Sequence, residues 1–145
     1  MRSALTIALT LGLAATAVLA HTDVKDPQVK ARMDGMKTMA DDLKTLGQMA
    51  KGVVAFDETA ANAALASLQA ETDRIPMLFA PQASDPKSEA KLAIWTDRVG
   101  FSQRTAEMAT ALDATGVSSS EAIGASMRNI GAACSACHED YRIKK

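Results

Sequence analysis

Large aromatic side chains are scarce in this 145-residue chain: one tryptophan, one tyrosine and three phenylalanines. So few rings fill a close-packed core poorly, and a flat, bulky, apolar cofactor would supply the missing volume. Cysteine is scarce too, with two residues beside two histidines. A structural zinc site takes about four nitrogen or sulfur ligands, and His21 stands far along the chain from the others, so zinc is a weak reading. Neither sign of charge dominates, since 16 basic residues face 17 acidic ones. That balance gives no reason to expect nucleic acid or a membrane surface as partner. The sequence also lacks strand-like alternation, a GxGxxG turn and a P-loop, the usual marks of a nucleotide-binding sheet.

What is present begins with "MRSALTIALTLGLAATAVLA", residues 1 to 20. Arg2 makes a basic start, an apolar run follows from about Ala4 to Leu19, and Val18 and Ala20 are placed for signal peptidase. The run is short for a bilayer span. We therefore expect a signal peptide over residues 1–20, cleaved after Ala20, an exported periplasmic protein with no membrane span after cleavage, and one domain over residues 21–145. Outside the cytoplasm a CxxC pair tends to oxidise unless something uses its thiols.

Period and punctuation predict four helices. The first opens with Asp26 as N-cap and Pro27 at the first helical position. Its expected buried stripe is Val29, Met33, Met36, Ala40, Leu43, Gly47 and Ala50, with Gly52 at its end. The second follows Asp57, buries Ala61, Ala64, Leu65, Leu68, Thr72 and Ile75, and should end or kink at Pro76. Asp85 and Pro86 repeat the first helix's opening, so a third helix is expected from there to Gly116, with Leu92, Trp95, Val99, Ser102, Ala106, Ala109 and Leu112 inward. The fourth starts with Ser118 as N-cap and Glu121 completing a capping box. Its inner stripe is Ile123, Met127, Ile130, Cys134, Cys137 and Tyr141. The expected fold is all-α, an antiparallel up-down four-helix bundle, an architecture that builds cofactor sites between facing helices.

The chemistry sits in "CSACH", Cys134 to His138, which is the CxxCH spacing of covalent haem attachment. Cysteines three apart on a helix project to one side, within reach of the two vinyl groups on one porphyrin edge, and His138 can turn its imidazole to the iron. A thioredoxin-like dithiol wants a βαβ setting that this chain lacks, and a plain disulfide would leave His138 unexplained. For the iron's other face the candidates are Met33, Met36, Met39 and Met49, against the alternative that methionines at helical spacing are core packing. Met36 lies mid-stripe. His21 would be an outside candidate, binding metal with its own amine.

With these residues in view, the chain resembles the class II c-type cytochromes, the cytochrome c′ family, over residues 21–145. "CSACHEDYR" (134–142) matches the family's CxxCHxxYR ending. "RMDGMKTM" (32–39) matches its first-helix pattern, "KGVVAFD" (51–57) the turn after it, and "IWTDRVGF" (94–101) its third helix. The resemblance implies one haem c bound through Cys134 and Cys137, with His138 as proximal ligand. It implies Arg142 as a basic group beside that histidine, and Arg32 near a propionate, against the alternative of a solvated helix charge. At position 36 the five-coordinate members carry an apolar cover, whereas the low-spin branch typified by cytochrome c-556 carries a ligating methionine. Met36 therefore implies His138/Met36 ligation and electron transfer with redox partner proteins. The alternative is an open iron that binds NO or CO. Enzymatic chemistry is not expected, because a peroxidase-like site needs distal polar groups and the first helix offers none beyond Arg32. The family includes homodimers, so a helix-face dimer is a further expectation.

Overall fold

A computed structural model describes residues 23 to 144; the expected signal peptide, its expected cleavage after Ala20, and His21 lie outside the described residues. Among the described residues five helices follow one another: α1 (Pro27–Ala50), α2 (Glu58–Leu78), α3 (Ala93–Thr96), α4 (Arg98–Asp113) and α5 (Ser120–Tyr141). The four long ones pack as a ring, α1 on α2, α2 on α4, α4 on α5 and α5 back on α1. Each long helix sends at least one leucine or isoleucine to the centre with essentially no exposure: Leu46, Leu68, Leu112, and Ile123 with Ile130. Burying one such side chain contributes about 1.5–3 kcal/mol, and this shared core fixes the bundle.

Helix α1 starts as its sequence predicts. The Asp26 carboxylate accepts from the backbone N–H groups of Gln28 and Val29, and Pro27 takes the first position, where no N–H is needed. Gly52, at φ +66°, follows its last turn in the left-handed region. The deepest face of α1, however, is Val29, Arg32, Gly35, Met39, Leu46 and Met49. The expected stripe through Met33, Met36, Leu43 and Gly47 is only half-buried, and Ala40 is exposed. A stripe of small and apolar side chains does not tell which flank meets another helix and which borders a cleft.

Three boundaries differ from expectation. Helix α2 runs through Pro76 to Leu78, so Pro76 sits inside the last turn rather than ending the helix. The missing proline N–H removes the bond that Thr72 O would accept, and the helix end is held by Leu78 O, which accepts from Gln28 Nε2 and from Arg32 Nε, the latter at 2.8 Å. Asp85 caps no helix. Its carboxylate takes the N–H groups of Lys25, Asp26 and Lys87, tying the approach to α1 onto the 85–91 segment. The third long helix starts only at Arg98, capped by Asp97, after the single turn of α3. That restart changes its inward face to Phe101, Thr105, Met108 and Leu112 and leaves Val99 81% exposed. The N-cap of α5 is Ser119, not Ser118, accepting from Ala122 N–H.

Candidate functional site

The C-terminal turn of α5 carries Cys137, His138 and Tyr141, and the chain leaves it extended at Arg142. The loop before α3 meets it there. Lys91 N–H donates to Tyr141 O at 2.9 Å and Ile143 N–H to Glu89 O at 2.7 Å, forming an isolated antiparallel bridge between Ala90 and Arg142. Across from this seam stand Met33 and Met36 of α1. Together these elements enclose a cavity of about 470 Å³, lined among others by Arg32, Met33, Met36, Phe79, Phe101, Cys137, His138, Tyr141 and Arg142. That volume lies in the ordinary range for a small-molecule or cofactor site.

Of the residues singled out from the sequence, Arg32, Met36, Cys137, His138 and Arg142 thus line one cavity. Cys134, one turn earlier on α5, packs against the core with its Sγ 3.9 Å from Met108 Sδ. Met39 and Met49 are buried in the core at 7% and 4% exposure, which leaves Met33 and Met36 as the first-helix thioethers on the cavity.

The electrostatics of α5 speak against a redox dithiol. Burial pushes the Cys134 thiol up, and burial, then the charge of Cys134, does the same to Cys137. A dithiol enzyme does the reverse to its attacking cysteine. His138 is exposed by surface area, yet the surrounding protein desolvates its ring enough to lower its pKa; the Arg142 charge adds to this and Glu89 opposes it. The imidazole is therefore neutral at neutral pH, with a lone pair available to a metal.

Arg32 is no solvated helix charge. It is 3% exposed, and besides Leu78 O its guanidinium donates to Pro81 O and Ala83 O. It also lies 4.9 Å from the Phe79 ring centroid and 5.2 Å from that of Trp95. Desolvation lowers its pKa, partly offset by Asp26; an arginine stays charged regardless. Trp95 Nε1 and Arg98 both donate to Phe79 O. The loop after α2 is held as one cavity wall through these contacts.

Sequence reasoning missed Phe79, Asp97 and Glu89. Phe79, Phe101 and Tyr141 pack in series, the first pair tilted and the second edge-to-face, with centroids 5.4 and 5.2 Å apart. Four of the five aromatic residues thus gather at this end of the bundle, while Phe56 is 37% exposed in the turn after α1. Their scarcity was the available signal, since rare rings tend to be placed where a site needs them. Glu89 carries no comparable signal, being a single loop carboxylate.

The residues present suit a covalently held haem: a cavity of suitable size, apolar rings, a neutral histidine, and two undeprotonated thiols at CxxCH spacing. Comparison with known proteins agrees. A family model described as Cytochrome C' matches residues 27–142. Cytochrome c-556 of Rhodopseudomonas palustris is 33% identical, covering 96% of this chain and 95% of its own. Cytochrome c' of Cereibacter sphaeroides is 32% identical over the full length of both. Among solved structures, oxidised R. palustris cytochrome c556 superposes with a TM-score of 0.74 at 29% identity, over 83% of this chain and 99% of that one. Cytochrome c' from Rhodobacter Spheriodes gives 0.73 at 30% identity, over 81% and 96%. The family's cofactor is haem c held through cysteines, here Cys134 and Cys137, and the chain belongs to the cytochrome c′ family.

Proposed function

We propose that the chain is an exported, periplasmic electron carrier, with residues 1–20 as its signal peptide and residues 21–145 as its single domain, in which His138 and Met36 would hold the haem iron. The observation that carries this reading is that Met36 of α1 and His138 of α5 line one cavity together with Cys137. Bound haem supplies the one-electron ferric/ferrous couple. The remaining work belongs to the protein's own residues. Cys134 and Cys137 hold the group, so that it stays with the carrier through both oxidation states. His138, kept neutral, offers a nitrogen. Met36 offers a thioether, which raises a potential relative to two nitrogen ligands. Phe79, Phe101 and Tyr141 keep water from one wall. Arg32 adds a fixed positive charge beside that wall, of the sign that would suit a propionate, and Arg142 places a guanidinium, paired with Glu89, beside His138. Of the first-helix residues on the cavity, Val29, Met33, Met36 and Ala40 are apolar, and the two cations are already engaged, Arg32 by three loop carbonyls and Lys37 by Asp41; this is a poor surface for polarising peroxide, so an electron carrier is favoured over an enzyme. The carrier would exchange electrons with redox partner proteins in the periplasm. No helix among the described residues is long and apolar enough to cross a membrane.

The test is the reduced visible spectrum of the protein matured with haem, before and after CO. A low-spin spectrum that CO leaves unchanged, and that turns high-spin in Met36→Ala, is expected. A high-spin spectrum that shifts with CO would overturn Met36 ligation and move the reading to a five-coordinate gas binder of NO or CO. A haem-free product from a host that matures c-type cytochromes would overturn both.

A further inference from the structure

Glu89 and Arg142 form an ion pair on the wall that also holds His138. Arg142 Nε donates to Glu89 Oε2 at 2.7 Å, and its terminal nitrogen lies 2.6 Å from the same oxygen. Arg142 follows His138 by one helical turn, and its N–H donates to His138 O at 3.0 Å. All three side chains line the cavity. The pair sits on a backbone seam. The bridge sets Arg142 across from Ala90, flanked by Lys91 N–H to Tyr141 O and Ile143 N–H to Glu89 O, and so brings Glu89 to the position beside Ala90, within side-chain reach of Arg142. On the loop side, two N–H bonds onto Asp85, from Lys25 and Asp26, anchor the same segment to the start of α1. The Glu89 side chain is 23% exposed, so its charge is only partly screened, while that of Arg142 is 54% exposed.

We infer that Glu89 is a positioning residue for the proximal side of the haem: its carboxylate holds the Arg142 guanidinium and neutralises it next to His138. The inference rests on His138 being the proximal ligand and not on Met36. An unopposed cation near an iron ligand disfavours the more positive ferric state, and an unopposed anion favours it. With the two charges paired, each largely cancels the other's effect at the iron. The pair thereby sets the potential close to what the ligands alone would give, and it keeps Arg142 from swinging freely beside the histidine.

The experiment is redox titration of haem-loaded wild type, Glu89→Gln, Arg142→Gln and the double variant, with the reduced spectrum and Tm of each. Shifts of opposite sign are expected. Glu89→Gln should raise the ferrous-to-ferric ratio at fixed ambient potential, by about threefold to tenfold at an effective dielectric suited to a partly exposed charge, and Arg142→Gln should lower it. A tenfold change corresponds to about 59 mV for one electron. The double variant should return toward wild type, and both single shifts should shrink in high salt. A purely structural seam would lower Tm in both variants and move their potentials the same way or not at all, which overturns the inference. If wild type carries haem with His138→Ala spectrally unchanged, the proximal assignment itself fails, a result distinct from attached, normally ligated haem with no opposed shifts.

Discussion

Tyr141, in the last turn of α5, donates its phenolic hydrogen to the carboxylate of Asp97 at 2.7 Å, and Asp97 is the residue that caps α4. One carboxylate thus does two things. Its second oxygen accepts from Gly100 N–H and starts α4, while the first holds the end of the helix that bears Cys137 and His138. Gly100 is glycine for a reason of space: a methyl group there would collide with both the Asp97 carboxylate and the Tyr141 hydroxyl. The start of one helix and the end of another are therefore locked by a single contact between residues 44 apart in sequence.

Tyr141→Phe should lower stability by about 1 kcal/mol, the usual net worth of one hydrogen bond, with a distinctive pH dependence. Burial first, then the bond to Asp97, pushes the Tyr141 pKa up to about 12. A raised folded-state pKa means the contribution is fully present below the unfolded value near 10 and is lost as pH rises through about 12. The gap between wild type and Tyr141→Phe in urea midpoint should hold from pH 7 to 9 and narrow above 10. A gap that stays constant to pH 12 would show that the hydroxyl contributes through shape alone.

Arg32 should tolerate no substitution, lysine included. Its fork reaches three carbonyls of the loop after α2 while its plane lies near Phe79 and Trp95, and an ammonium point charge cannot reproduce that geometry. Removing it takes a donor from the Leu78, Pro81 and Ala83 carbonyls, of which Leu78 keeps Gln28 Nε2 and Pro81 keeps Trp95 Nε1, and we expect Arg32→Met to cost about 2–4 kcal/mol. Arg32→Lys should recover less than half of that loss in thermal unfolding. Full recovery would mean that charge alone, and not the planar fork, holds the loop.

The comparison of sequence and structure turns on where information is local. Asp26–Pro27, Asp57 and the CxxCH run act within one helical turn, and their roles are legible without a fold. Position 36 is legible as half-apolar stripe, but the difference between a face against α2 and a face on a cavity depends on how α1 is rotated in the bundle. Asp85 shows the opposite failure. "DP" opens α1 at residue 26 and does not open a helix at residue 85, because there the carboxylate is drawn to N–H groups about 60 residues earlier in the chain. Glu89, Asp97 and Phe79 gain their meaning only from partners brought together by the four-helix ring. Long-range partners of single loop residues leave no period to read.

Asp85 gives the last prediction. Its carboxyl is held below the ordinary carboxylate range by the N–H bonds of Lys87, Asp26 and Lys25, in that order, which outweigh the opposing effect of desolvation. A depressed folded-state pKa contributes stability that is present above the unfolded value near 3.9 and is lost as pH falls through the folded one. Asp85→Asn should therefore lower Tm at neutral pH, and its deficit against wild type should shrink as the pH falls below about 4. The same substitution loosens the segment that presents Glu89 to Arg142, so hydrogen exchange at Lys91 and Ile143, whose N–H groups close the seam, should speed up at neutral pH. Unchanged exchange at those two amides, with Tm lowered, would mean that the Asp85 knot steadies the start of α1 without supporting the wall beside His138.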